Sequence, residues 1–220
     1  MSPFPTTLLS LGPLVVTDSM LVMLVLSILL VGLGALAVRL PRTRALLEMG
    51  YEALERSIVA TTTADVRALV PLILTLWVFL ALANLASLVP GVASPTRDLS
   101  LAAALAMISF FAGHIHAART HGIAYLRHYI EPSPLLLPFN IIGEIGRTIA
   151  LALRLFGNML SGQLVIAIVL YLAGLLVPIP LMLLGILTAL VQAYIFGILT
   201  LVFAASSLQE AQRRIRKEAT

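Results

Sequence analysis

Long apolar stretches divide this chain, and most polar residues gather in the gaps between them. Asp18–Val38 carries one charge, at its start, and its roughly twenty residues suffice to cross a hydrocarbon layer. Arg39, Arg42 and Arg44 close it. Residues 41–65 are polar. Tyr51, Leu54 and Ile58 share one helical face there, with Glu48, Glu52, Glu55 and Arg56 elsewhere, which predicts an interfacial helix over part of the connection. Val66–Val89 reads as a second span, and Pro90–Asp98 as a turn-rich loop by its Pro, Gly and Ser content. Leu99–Ala118 is a third span, running into the polar stretch His114–His128, after which Pro132, Pro134 and Pro138 break the chain. Two longer apolar helices are predicted over 139–176 and 181–209, divided by Val177-Pro178-Ile179-Pro180. Both exceed what a perpendicular span needs, so they are expected to tilt strongly or to lie partly in the membrane plane. The pattern predicts an all-α integral membrane protein with about five membrane helices in a single domain over 1–220, the last two forming a long tilted hairpin.

Composition agrees. The chain is 60% apolar and 11% charged, with a mean hydropathy of +1.05, where soluble domains hold about 45–50% apolar and 25% charged residues. The lack of cysteine excludes disulfides, iron–sulfur clusters and Cys-based zinc sites. The one lysine, Lys217, lies in the tail, so no P-loop can be built. A pI near 10.0 invites a nucleic-acid reading, but the placement of the charges explains it better, and no nucleic-acid partner is expected.

Eleven of the Lys and Arg residues, in 39–67, 119–127 and 213–217, fall on one side of the spans, against Arg97 alone on the other. By the positive-inside rule the N-terminus is expected outside and the C-terminus in the cytoplasm. Met1–Pro13 has no Lys or Arg and so lacks the charged start of a signal peptide. Without a targeting stretch, a bacterial inner membrane is the expected location.

The stretch Gly143–Gln163, GEIGRTIALALRLFGNMLSGQ, breaks the apolar rule. An arginine at mid-membrane costs roughly 2.5–3.5 kcal/mol on insertion scales, so it is kept only with a partner or a task. Arg154 stands among Leu151, Leu153, Leu155 and Phe156. At about 100° per residue, Arg147, Asn158 and Ser161 fall on its face, with Gly143, Gly146, Ala150 and Gly157 on or beside it. Small residues there let another backbone approach closely. Gln163 points to about the opposite side.

The segment LALRLFGNMLSGQL (Leu151–Leu164) resembles the signature of subunit a, the membrane stator of F-type rotary ATP synthases. Pro71–Pro90, Ser94–Ala106 and Val191–Thr200 (VQAYIFGILT) are similar to further segments of that family, in the family's order and over most of the chain. The resemblance implies a hairpin curved around a ring of rotor c subunits, with peripheral-stalk b subunits and the rest of the complex as partners. It also implies two aqueous half-channels for H+ or Na+ that do not meet. Arg154, a fixed charge because arginine stays protonated, would hold a passing rotor carboxylate ionised and enforce ion release. Gln192 matches the family's glutamine that faces the arginine. The chain itself would make no bond, ATP chemistry belonging to a soluble head, and no cofactor is implied.

Gln163 departs from the family, many members having Glu or His there, and Gly185 stands where many have a complementary His or acid. The outer half-channel is therefore expected to use water, polar side chains or a group elsewhere, Glu144 among the candidates. The loss raises the case for Na+, which needs oxygens and not titratable groups. Thr148 replaces a frequent proline.

Several roles have bland counterparts. Arg154 can pair with a structural acid such as Glu144. Asn158 can orient the arginine or a water, or simply join two helices. Glu144 and Arg147, three apart, can pair with each other, or Glu144 can stand in an aqueous path. His114, His116, His121 and His128 lie near Gly113 and Gly122 with no carboxylate closer than Glu131, so they read as cytoplasmic-side loop histidines and not as metal ligands. A secondary transporter binding an anionic substrate at Arg154 is the alternative class, but the chain has neither internal repeat nor matched halves. A passive scaffold is a third.

Overall fold

The computed structural model describes residues 7–11, 14–61, 67–86, 95–122, 125, 135, 137–174 and 176–218. Residues 90–94 of the turn expected at Pro90–Asp98, the prolines at 132 and 134, and His128 lie outside them, as do the side chains of Leu54 and Ile58. A short antiparallel ribbon opens the chain, β1 (Thr7–Leu11) and β2 (Leu14–Thr17), pairing Thr7 with Thr17 and Leu11 with Leu14. The helices are α1 (Asp18–Arg39), α2 (Pro41–Thr61), α3 (Val70–Ala86), α4 (Leu99–His121), α5 (Leu137–Ala173) and α6 (Pro178–Glu218). Single 3-10 turns, Arg67–Leu69 and Pro95–Arg97, lead into α3 and α4. Five helices, all but α2, are long and apolar enough to span a membrane. The chain is an all-α integral membrane protein.

Local chemistry marks the helix ends. The Met20 amide donates to Thr17 Oγ1 at 3.4 Å to cap α1, and the Ser100 amide to Asp98 Oδ1 at 3.0 Å to cap α4. Gly122 closes α4 and Gly174 ends α5, both at positive φ, which favours glycine. Pro178 opens α6, where a missing N–H costs nothing. At 37 and 41 residues, α5 and α6 are about 55 and 60 Å long, roughly twice the hydrocarbon thickness.

Side-chain pairings fix the helix directions. Near the ribbon, Asp18 at the start of α1 meets Arg97 beside the start of α4, and Asn84 late in α3 donates to the Ala189 carbonyl early in α6. At the other end, Val70 early in α3 shares a core cluster with Ala117 late in α4 and Leu208 late in α6. A second cluster (Leu80, Leu105, Leu155 and Phe196 among its members) brings α5 into the bundle. Successive spans therefore alternate in direction, leaving the ribbon at one end and the tail at the other. One close seam uses a glycine: the Trp77 indole occupies the place a Gly197 Cβ would take.

Candidate functional site

The sequence of α5 gives it two unlike faces. Leu151, Ala152, Leu155 and Met159, spaced for one stripe, are buried against the bundle. Ile145, Gly146, Ile149, Ala150, Leu153 and Arg154 are exposed. Around Gly143, Gly146, Gly157 and Gly162 there is nothing within 4 Å of where a side chain would begin, so no neighbour within the chain demands those glycines. Arg154 stands on this open face and, among the described residues, makes no hydrogen bond or ion pair. Among the described residues no structural acid is thus its partner; Glu144 pairs with Arg147 instead, at 2.9 Å.

One turn beyond Arg154, Asn158 Nδ2 donates to Gln192 Oε1 at 3.4 Å, joining α5 to α6, while Ser161 Oγ donates to the Asn158 carbonyl at 3.2 Å. Gln192 is 5% exposed, and its Nε2 is buried without a partner. Asn158 therefore makes the helix-to-helix bond, with the exposed arginine on one side and a buried amide on the other. Gly157 and Gln163 are half-buried. Gln163 has no hydrogen bond among the described residues, and it lies about 28 Å along α5 from Glu144. That spacing sets Glu144, one candidate among the groups that could serve in place of the missing acid, far from Gln163 along the helix.

At the tail end a cavity of ≈ 20 Å³ opens between α4, α5 and α6. Ser109 and His114 of α4, Glu144, Arg147 and Thr148 of α5, and Phe203 of α6 line it. Arg147 also sits 5.5 Å from the Phe203 ring centre. Just beyond, the buried Ser109 hydroxyl donates to Thr200 Oγ1 at 2.7 Å. The histidine run is not loop as far as His121. The helix, expected to Ala118, continues to His121, with Phe110, Gly113, His114 and Ala117 on a packed stripe at helical spacing.

The ribbon end holds the other polar cluster, which the sequence did not foretell. Arg97, 6% exposed, meets Asp18 at 2.6 Å; Thr17 donates to Asp98 at 3.4 Å; Thr96 donates to Asn84 at 2.8 Å.

The comparisons with known proteins agree with this architecture. Residues 16–205 match the family model described as ATP synthase A chain. The chain is similar to "ATP synthase subunit a 1" of Hahella chejuensis, 46% identical over 209 residues that cover 92% of this chain and 88% of the relative. It is 56% identical to "ATP synthase subunit a 2" of Pelobacter propionicus over 153 residues, covering 68% and 67% of the two chains. "ATP synthase subunit a 2" of Bradyrhizobium sp. matches at 42% identity over 217 residues, covering 94% and 96%. With its long α5–α6 hairpin and an LRLFGN segment that sets Arg154 on the open face, the chain belongs to the family of F-type ATP synthase subunit a.

Proposed function

We propose that this chain, as a membrane subunit of an ATP synthase, is the stator against which a ring of c subunits turns, and that Arg154 enforces ion release from the ring's carboxylates. One observation carries the reading. Arg154 is a permanent charge on an apolar, glycine-lined helix face, exposed and unbonded among the described residues. Hydrocarbon does not tolerate such a charge without an anionic partner, and a carboxylate carried on a neighbouring helix meets the need. Glycines with open space before them let that helix come close.

The same geometry supports an ion path. Two half-channels reach the arginine from opposite ends of α5, one past Gln163 and the other past Glu144 and Arg147. Asn158 and Gln192 hold the α5–α6 seam behind the arginine. With the tail end cytoplasmic, as the basic residues imply, Glu144 belongs to the inner path. H+ or Na+ then enters near Gln163, neutralises a ring carboxylate, rides the ring through lipid and leaves past Glu144. Each charge moved contributes about 2.3 kcal/mol per 100 mV, so several pass per ATP. The stalk b subunits hold the chain still, and ATP is made and hydrolysed in other subunits.

The test is ATP-driven ion uptake into vesicles holding the whole complex, with and without Na+, for the natural chain and Arg154→Ala. Loss of uptake in an assembled variant complex is expected, and a Na+ requirement would name the ion. Uptake that continues in Arg154→Ala overturns the mechanism.

A further inference from the structure

We propose that the elbow between α1 and α2 docks on the lipid leaflet at the tail end, α2 laying its apolar face into the bilayer and Arg39 and Arg42 taking the phosphate groups of anionic phospholipids. The proposal rests on the membrane fold and stands apart from the role of Arg154.

The chain itself does little to hold this region. At the ribbon end α1 is fastened by the Asp18–Arg97 pair, and Met23, Leu26 and Leu30 pack against the second core cluster. From Val31 to Ala53 no residue is buried, and only Gly34, Ala37 and Thr43 are half-buried. Leu24, Leu29, Leu33 and Val38 are exposed, and at about 100° per residue they spread around more than half of α1. Lipid tails surround a helix in this way, whereas one partner helix covers a narrower stripe.

The elbow is closed by local bonds. Leu40 leaves α1 in an extended conformation, and Pro41 opens α2. The Thr43 hydroxyl shares its proton between the Ala37 carbonyl, at 2.5 Å, and the Leu40 carbonyl, at 3.0 Å, tying the start of α2 to the end of α1. Arg39 and Arg42 therefore stand on either side of one bend, where the spanning helix ends.

Beyond the bend, α2 sorts its residues. Leu46, Leu47, Gly50 and Tyr51 are all exposed and fall within about 140° of the circumference. On the other side Arg44 pairs with Glu48 at 2.7 Å and Arg56 with Glu52 at 3.0 Å. Met49 is the apolar exception on that side. Such a division suits a helix lying in the interface plane. The charges are sorted as well. Arg44 and Arg56 are satisfied by acids one turn away, while Arg39 and Arg42 are exposed and make no ion pair or side-chain hydrogen bond among the described residues. Guanidinium groups form paired hydrogen bonds to phosphate oxygens, and basic residues just beyond a spanning helix are drawn to anionic lipid. Two unmatched cations beside exposed apolar surface thus fit a phospholipid, which brings phosphate and hydrocarbon together.

The test titrates the full chain in neutral detergent with phosphatidylglycerol or phosphatidylcholine and counts bound lipids by native mass spectrometry. Each basic residue near an anionic surface contributes a factor of about five. Arg39→Gln with Arg42→Gln should weaken the first phosphatidylglycerol at least tenfold and leave phosphatidylcholine unchanged. The corresponding lysine pair should keep most of the binding, because it keeps the charge. Arg119→Gln, at an exposed site late in α4, should bind as the natural chain does. No preference for phosphatidylglycerol in the natural chain overturns the proposal, as does an equal loss in Arg119→Gln, which would mean diffuse attraction to a basic rim. Equal losses in the glutamine and lysine pairs overturn it too, since charge would then not matter. The chain has no cysteine, so Leu47→Cys and Glu52→Cys can be compared in nanodiscs containing phosphatidylglycerol, using a water-soluble maleimide. Leu47→Cys should react many-fold more slowly; equal rates would show the apolar face out of the bilayer and open to a protein partner, which overturns the lipid docking.

Discussion

Two arginines of this chain are treated in opposite ways. Arg97 is 6% exposed and ion-paired to Asp18 at 2.6 Å, in a corner where Thr17, Asn84, Thr96, Asp98 and Ser100 all have hydrogen bonds. Arg154 is exposed on a face where, among the described residues, no acid meets it. A buried charge that is paired at home ties segments together. One presented on an apolar surface without a mate is set out for another molecule. The ribbon end is therefore where the chain holds itself, and the open face of α5 is where the proposed rotor would meet it.

Substitution should separate the two arginines cleanly. Arg154→Ala is expected to bring ion uptake by the assembled complex down to background while the subunit's resistance to heat in detergent stays as it was. Asp18→Ala should do the reverse: leaving Arg97 buried without its carboxylate costs about 3–5 kcal/mol. Less subunit should accumulate, and the solubilised complex should lose it at lower temperature, with uptake per assembled complex retained. If Asp18→Ala instead stops pumping at full accumulation, the ribbon-end arginine is functional and the contrast fails.

Glycines sharpen the comparison. At Gly197 a methyl group meets the Trp77 indole, and overpacking of this kind costs about 1–3 kcal/mol. Gly197→Ala should lower thermal stability, and pairing it with Trp77→Leu should recover most of the loss. At Gly157 the space is open, so Gly157→Ala should leave the isolated subunit as stable or firmer by up to about 1 kcal/mol, since glycine weakens helix interiors. Pumping should nevertheless fall if a rotor helix passes close to this face. Equal pumping in Gly157→Ala would mean that nothing approaches it.

What was legible in the sequence and what was not divide along a physical line. Runs of about twenty apolar residues announce spans from one segment alone, and Arg154 announces itself by its insertion cost. The Asp18–Arg97 pair joins residues 79 apart, and no local pattern says that a helix start and a 3-10 turn will meet. Asn158 and Gln192 were both singled out, but their bond depends on the register between α5 and α6. His114 was assigned to a loop because glycines flank it, whereas Gly113 lies within α4 and Gly122 ends the helix. The ribbon was missed because its strands are short and lie beside a segment long enough to dominate the reading.

The chain has a single tryptophan, and it lies in the α3–α6 seam, against Gly197 and 5.4 Å from the Tyr194 ring centre. Tyr194 and Gln192 share a turn of α6, so the indole sits beside the part of the hairpin that backs the arginine. Its emission in the isolated subunit is consequently a native optical gauge of that seam. A shift of α6 relative to α3 alters the indole's surroundings, and fluorescence lifetime follows it with no dye attached.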